Sequence, residues 1–153
     1  MRALELKVPP LVVLLFVAAL MGLVSRAAPA ASFPAPARQA IALGLAAVGI
    51  GIAVAGIVSF RIAKTTVNPL NPAAATALVT SGVYQLTRNP MYLGALILLI
   101  GWAVFLTNAL GFILVPAFVL YLNRYQIVPE ERALASLFAS EFTAYCARVR
   151  RWL

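Results

Sequence analysis

The sequence predicts an all-α integral membrane protein: about four transmembrane helices, the last two a helical hairpin, followed by a C-terminal interfacial amphipathic helix. Three observations predict it. Of 153 residues, 63% are hydrophobic and 10% charged, where a soluble domain carries about a quarter charged residues. The apolar residues gather into runs near the ~20 residues that cross a hydrocarbon core ~30 Å thick. The basic residues behind the net charge of +8 sit at the ends of those runs, a pattern that belongs to a membrane protein and argues against a nucleic-acid partner.

The first run covers residues 8–25 and opens on Pro9-Pro10. It has a rival reading as a signal sequence, with residues 1–7 as a charged leader and Ala27-Ala28-Pro29-Ala30-Ala31-Ser32 as a small-residue cleavage zone. The run is long for that purpose, which favours a retained helix. The second run, 39–60, carries Gly44, Gly49, Gly51 and Gly56, small surfaces suited to close helix packing. The third and fourth share the stretch 91–122, interrupted only by Thr107-Asn108. One helix of that length would be about 48 Å long, too long for a single crossing, so a hairpin with short arms turning near Asn108 is expected. The chain thus divides into two N-terminal helices (1–60) and a core (61–153) within one membrane domain.

Ten basic residues (Arg2, Lys7, Arg61, Lys64, Arg88, Arg124, Arg132, Arg148, Arg150, Arg151) fall on one side of these spans, and only Arg26 and Arg38 on the other. The imbalance puts both termini and the 61–90 connection in the cytoplasm. The composition suggests a bacterial inner membrane.

Two segments on that side are more than plain connections. Thirty residues, 61–90, are long for a link in a compact domain. Asn68-Pro69 and Asn71-Pro72 impose extended or turn geometry, a short helix is expected over 73–79, and Ser81-Gly82 reads as a turn. Tyr84, Arg88, Asn89-Pro90 and Tyr92 follow at the membrane surface. By composition alone, a linker anchored by aromatics and arginine accounts for this segment. Beyond the hairpin, Pro129-Glu130-Glu131 has the form of a helix start, with carboxylates on the positive end of the dipole. Leu134, Phe138, Phe142 and Tyr145 then form one apolar stripe on an interfacial helix of about five turns, closed by Arg148-Val149-Arg150-Arg151-Trp152. Capping charge is the plain reading of the glutamates. Yet two of the chain's four acids stand together beside Arg124, where a helix leaves the membrane. A carboxylate there needs a partner, and a ligand cation would serve.

The residue inventory excludes much chemistry. Without histidine or aspartate and with only Cys146, no conventional zinc, copper or non-haem iron site can be built. An intrachain disulfide and a Ser-His-Asp or Cys-His apparatus are likewise excluded. No ionisable residue lies within a span, which argues against transport.

The run Leu78-Val79-Thr80-Ser81-Gly82-Val83-Tyr84, the run Arg88-Asn89-Pro90-Met91-Tyr92-Leu93-Gly94, then Glu130-Glu131 and Arg148-Val149-Arg150-Arg151-Trp152-Leu153 resemble, in order and spacing, the isoprenylcysteine carboxyl methyltransferase family, grouped with the bacterial phospholipid methyltransferase-like membrane proteins. The likeness covers about residues 61–153; the first two helices match only in number. It implies an S-adenosylmethionine-dependent membrane methyltransferase acting at the cytoplasmic face on a lipid-like or lipidated acceptor. By position, Thr76, Ala77, Leu78, Val79 and Tyr84 would line the cofactor, with Asn89, Pro90, Met91 and Tyr92 closing over it and Glu130 and Glu131 in contact. Arg88, Asn89 and Glu130 are the candidate catalytic residues, and Gln126 and Arg124 the candidate substrate contacts.

Two departures stand out. Asn89 replaces the family's usual histidine, keeping hydrogen bonds but not a proton that titrates near neutrality. Gln126 falls where the eukaryotic enzymes carry an arginine, and Arg124, two positions earlier, lies on a different helix face. Methyl transfer needs no metal, and the cofactor's sulfonium and ammonium suit the glutamates, its carboxylate Arg88, and its cationic or aromatic parts Tyr84 and Tyr92. With so few bases, an acceptor carboxylate that needs no deprotonation is favoured over an amine such as a phospholipid headgroup. Rival readings are a reductase using NADPH, whose phosphates the paired glutamates would repel, and a non-catalytic membrane subunit.

Overall fold

The structure, a computed structural model, describes residues 4–27, 34–66 and 68–153; the cleavage-zone residues 28–32 lie outside them. The helices are α1 (Pro10–Ala27), α2 (Ala35–Ile62), α3 (Pro90–Leu106), α4 (Ala109–Leu122) and α5 (Val128–Arg148). Among the described residues there is no strand. Leu15, Phe16, Leu43, Ile50, Ile113 and Leu120 point outward and are more than half exposed. Helices this apolar on their free faces are stable in lipid, where such surface needs no cover.

The hairpin is as expected. α3 ends on Thr107 in the left-handed conformation (φ 50°), and the Asn108 side chain accepts the Leu110 N–H to start α4. The arms have 17 and 14 residues, about 26 and 21 Å of helix, both short of a full crossing unless the bilayer thins around them.

Two glycines decide how α2 meets α3. A Cβ built on Gly49 would stand 2.7 Å from the Gly94 carbonyl, so the backbones touch there. Gly56 likewise faces Pro90 and Met91, whereas Gly44 and Gly51 have nothing within 4 Å and face away from the bundle. Without a hydrophobic drive between helices in lipid, such close backbone approach is a main source of association. α1 is built into the same bundle: Met21 is fully buried, packed with Leu99, Ala103, Phe118 and Leu122, and Trp102 Nε1 donates to the Ala18 carbonyl at 3.0 Å.

Two local expectations are corrected. The helix expected over 73–79 is a single 3-10 turn, Pro72–Ala74. Beyond it the Thr65 hydroxyl accepts the backbone N–H of Thr76 (3.0 Å) and Ala77 (3.4 Å), which fixes the strand-like path of 75–79 in place of helical bonds. The helix start at Pro129 is not a free end either. Backbone from α4 stays helical through a π turn, Asn123–Ile127, into α5, with Val128 N–H bonded back to Asn123 O. The Val128 N–H is thus not an orphan left for a carboxylate to cap. α5 is also bent, at Ala139 (φ 31°), where an unbroken helix was expected.

A second, smaller core forms at the end of the bundle that carries the 61–90 segment and the C-terminal turn of α5. Val79, Tyr84, Phe142, Tyr145 and Val149 are buried there, with Leu134, Phe138 and Phe60 against them. This is where the apolar stripe of α5 meets the 61–90 segment.

Candidate functional site

Between that second core and the mouth of the hairpin lies a cavity. Its walls are the 66–79 loop, Tyr84, the Arg88–Tyr92 corner and the inner face of α5. It holds about 840 Å³ of atom-free space counting its open mouth.

Glu130 and Glu131 both face this cavity and differ in their partners. Glu131 is taken by two guanidinium groups: Arg151 Nη2 at 2.6 Å and Arg88 Nη2 at 3.2 Å. The two carboxylates do not therefore act as a free pair. Glu130 Oε1 accepts from the Tyr92 hydroxyl at 2.5 Å and from Gln126 Nε2 at 2.7 Å. Among the described residues no hydrogen bond reaches its other oxygen. Although part of the residue borders the cavity, the protein around its carboxyl desolvates it, and burial pushes it up to about 7. The two hydrogen bonds pull the other way, and the charge on Glu131 adds to the rise. Burial also keeps the Tyr84 phenol well above its ordinary value, hence neutral.

Arg88 is mostly buried and held by its backbone as well, its N–H bonded to the Arg150 carbonyl at 3.0 Å. Its Nε is buried and, among the described residues, has no hydrogen-bond partner. A buried guanidinium N–H left unpaired is unusual and points to an absent acceptor. The C-terminal strap that holds Arg88 is itself pinned: Thr87 Oγ1 (3.3 Å) and Asn89 Nδ2 (2.9 Å) both donate to the Arg151 carbonyl, and Trp152 Nε1 donates to Asn123 Oδ1. Tyr145 OH donates to the Tyr84 carbonyl at 2.7 Å, closing the floor.

Of the residues singled out by sequence, Ala77, Leu78, Val79, Tyr84, Arg88, Asn89, Met91, Tyr92, Glu130 and Glu131 border the cavity. Four do not. Thr76 is exposed, its N–H spent on Thr65. Pro90 is buried at the start of α3. Gln126 is buried behind the wall, donating to both Glu130 and the Pro69 carbonyl (2.6 Å). Arg124 points away, half-exposed against Glu5. Sequence reasoning missed Phe60, Pro69 and Pro72 as walls, and Leu134, Phe142 and Tyr145 as floor. The Asn-Pro doublets and the α5 stripe were visible as local structure; their convergence on one cavity was not.

The fold and site define a class: a helical membrane protein whose cavity, largely apolar with a few convergent polar groups, lies at one end of the bundle and is built from the segments flanking a helical hairpin. The profile of the phospholipid methyltransferase family matches residues 37–141, and the chain belongs to that family. It is a membrane methyltransferase by that membership. An uncharacterized protein of Haemophilus influenzae is 43% identical over 63 residues, 41% of this chain and the whole of that protein. Protein-S-isoprenylcysteine O-methyltransferase B of Arabidopsis thaliana is 38% identical over 72 residues, 47% of this chain and 36% of the plant enzyme. No solved structure matches.

Proposed function

We propose that the protein takes a methyl group from S-adenosylmethionine, held in this cavity at the cytoplasmic face, and delivers it to a lipid-like acceptor reaching the cavity from the membrane. The observation that carries the reading is a polar complement matched to that donor. Glu130 offers an uncommitted carboxylate oxygen to a cation, and Arg88 an unsatisfied buried N–H to a carboxylate. Tyr84 and Phe60, edge-to-face with centroids 5.4 Å apart, offer an aromatic wall. The donor supplies an electrophilic methyl on sulfonium; alignment and exclusion of water are left to the protein. Among the described residues the one cation lining the cavity is Arg88, and it is paired with Glu131, so the wall offers no converging set of cations to the phosphates of NADPH, which weighs against a reductase.

The same geometry bears on the acceptor. The sequence favours a carboxylate acceptor for want of a base. Glu130, raised to about 7, is a base in the wall, but Tyr92 and Gln126 hold one of its oxygens and the other is the one offered to the donor's cation. Glu131 is held by two guanidinium groups. With no carboxylate left over to take the proton of an ammonium, a carboxylate acceptor stays favoured.

Calorimetric titration of detergent-purified protein with S-adenosylmethionine, with NADPH as competitor, tests the donor. Saturable binding lost in Glu130→Gln is expected. Silence toward both ligands in folded protein would leave a non-catalytic subunit. Labelled methyl groups traced into membrane lipid extracts then separate amine from carboxylate acceptors, since only the ester is released by mild alkali.

A further inference from the structure

The segment ahead of α1 fastens onto the joint that carries Gln126 and Glu130, and the reaction proposed above makes no use of it. Pro129 has no N–H, so the carbonyl of Tyr125, four residues earlier, loses its helical donor. A freed carbonyl seeks another partner, and the Leu6 N–H supplies it at 3.0 Å. To present that N–H, Leu6 adopts φ 55°, a left-handed conformation that a side chain bearing Cβ takes only where its surroundings impose it. Glu5 completes the attachment. Its side chain, 12% exposed, bridges Arg124, within the π turn, at 3.1 Å and Arg132, in α5, at 3.3 Å.

Arg124 belongs to the π turn itself and Arg132 to α5 beyond it, so Glu5 ties the turn to the helix that follows. A turn wound one residue wide rotates everything beyond it by ~100° relative to regular winding. Gln126 sits inside the turn and Glu130 just past it. Their mutual bond, and the reach of Gln126 to Pro69, hold only while the turn stays wide.

We propose that Glu5 and Leu6 are positioning residues for the methyl-transfer site: their carboxylate and amide hold open the wide turn that aims Gln126 and Glu130 at the cavity. The proposal rests on reading that cavity as the methyl-donor site. It assigns Arg124 and Arg132 to the same clamp, and makes the N-terminal segment part of the site's frame.

The test uses the full chain in detergent and two readouts. One is S-adenosylmethionine affinity by calorimetry. The other needs no donor: the rate at which dicyclohexylcarbodiimide, which attacks protonated carboxyls in apolar surroundings, modifies Glu130, followed by mass spectrometry. Glu5→Ala should bind about fivefold more weakly and label several-fold faster, and Glu5→Asp should restore both. Pro129→Ala, whose new N–H reclaims the Tyr125 carbonyl, should shift both readouts in the same direction. If Glu5→Ala fails to fold, Arg132→Gln removes one bridge at an exposed position and should give a smaller shift of the same sign. A mere anchor would lower the unfolding midpoint and leave both readouts of the folded protein at wild-type values; that result overturns the proposal. A wild-type protein that binds no donor, yet whose Glu130 labelling responds to Glu5→Ala, would sink the donor reading and leave the positioning role standing.

Discussion

Neighbouring carboxylates at 130 and 131 end in different electrical states because two guanidinium groups reach one of them and none reaches the other. The consequence is a pH dependence whose sign can be worked out. The Glu130 carboxyl is raised from its ordinary 4.5 to about 7, chiefly by burial. Below about pH 7 it is mostly protonated, and a cationic ligand must first displace that proton. Affinity for S-adenosylmethionine should therefore fall about tenfold per pH unit below 7 and level off above it, with a proton released on binding at pH 6. Calorimetry in two buffers of different ionisation enthalpy reads both effects, and a flat profile would mean that Glu130 does not face the cation. Stability carries the opposite trend. The folded state holds the extra proton between about 4.5 and 7, so this residue's contribution is complete below that window and is lost as pH rises through it. Asn89 yields a second prediction at this scale. Its amide donates to the Arg151 carbonyl, a bond that a histidine N–H also makes. Asn89→His should therefore keep donor affinity within about threefold, while Asn89→Leu should lose about tenfold by freeing the strap. The replacement of the family histidine was legible in the sequence. The partner of the Asn89 amide was not, because that carbonyl lies 62 residues away.

Helices α1 to α4 were legible because apolar length and a polar interruption at Thr107-Asn108 are local signals. What happens at their joints was not, since it depends on which carbonyls and hydroxyls come to hand in three dimensions. The Asn-Pro loop lacks the expected helix because Thr65, 11 residues upstream of Thr76, captures its N–H. Pro129 reads as a helix start in any sequence; here a π turn and the Leu6 amide let the helix run through it. The glycine face of α2 was half right, as only the crossing points with α3 use it. That crossing carries an element-scale prediction. A Cβ at Gly94 would meet the Gly49 carbonyl and approach Ala53 Cβ to 2.9 Å, with backbone on one side that cannot yield. Gly94→Ala should lower stability by about 1–3 kcal/mol, whereas Gly44→Ala and Gly51→Ala, which meet nothing, should be neutral or slightly stabilising by helix propensity. Unfolding in mixed micelles measures all three. Equal effects would show that α2 and α3 do not cross where the glycines place them.

At the scale of the whole molecule the two cores divide the work. The larger one ties α1, α3 and α4 together through fully buried Met21, Leu99 and Phe118, and the α2–α3 crossing adds a backbone contact that cannot give. The smaller one carries the cavity, and its walls are unequal. α3 and the strap are fixed by the Arg88, Asn89 and Thr87 bonds. The 66–79 loop hangs on a few: the Thr65 hydroxyl at one end and the Gln126 to Pro69 bond in the middle. When a donor with the bulk of an adenosyl group plus an amino acid enters, the weakest-held wall moves first. Hydrogen exchange should therefore respond asymmetrically to S-adenosylmethionine. Backbone amides of the 66–79 loop should slow several-fold as the loop repacks over the ligand, with Gln126→Leu raising their exchange before ligand is added. Amides of 94–106 in α3 should not change, because close packing and lipid already protect them. Protection appearing in α3 and not in the loop would place the opening between the helices, and the acceptor's route from the membrane would then be the donor's as well.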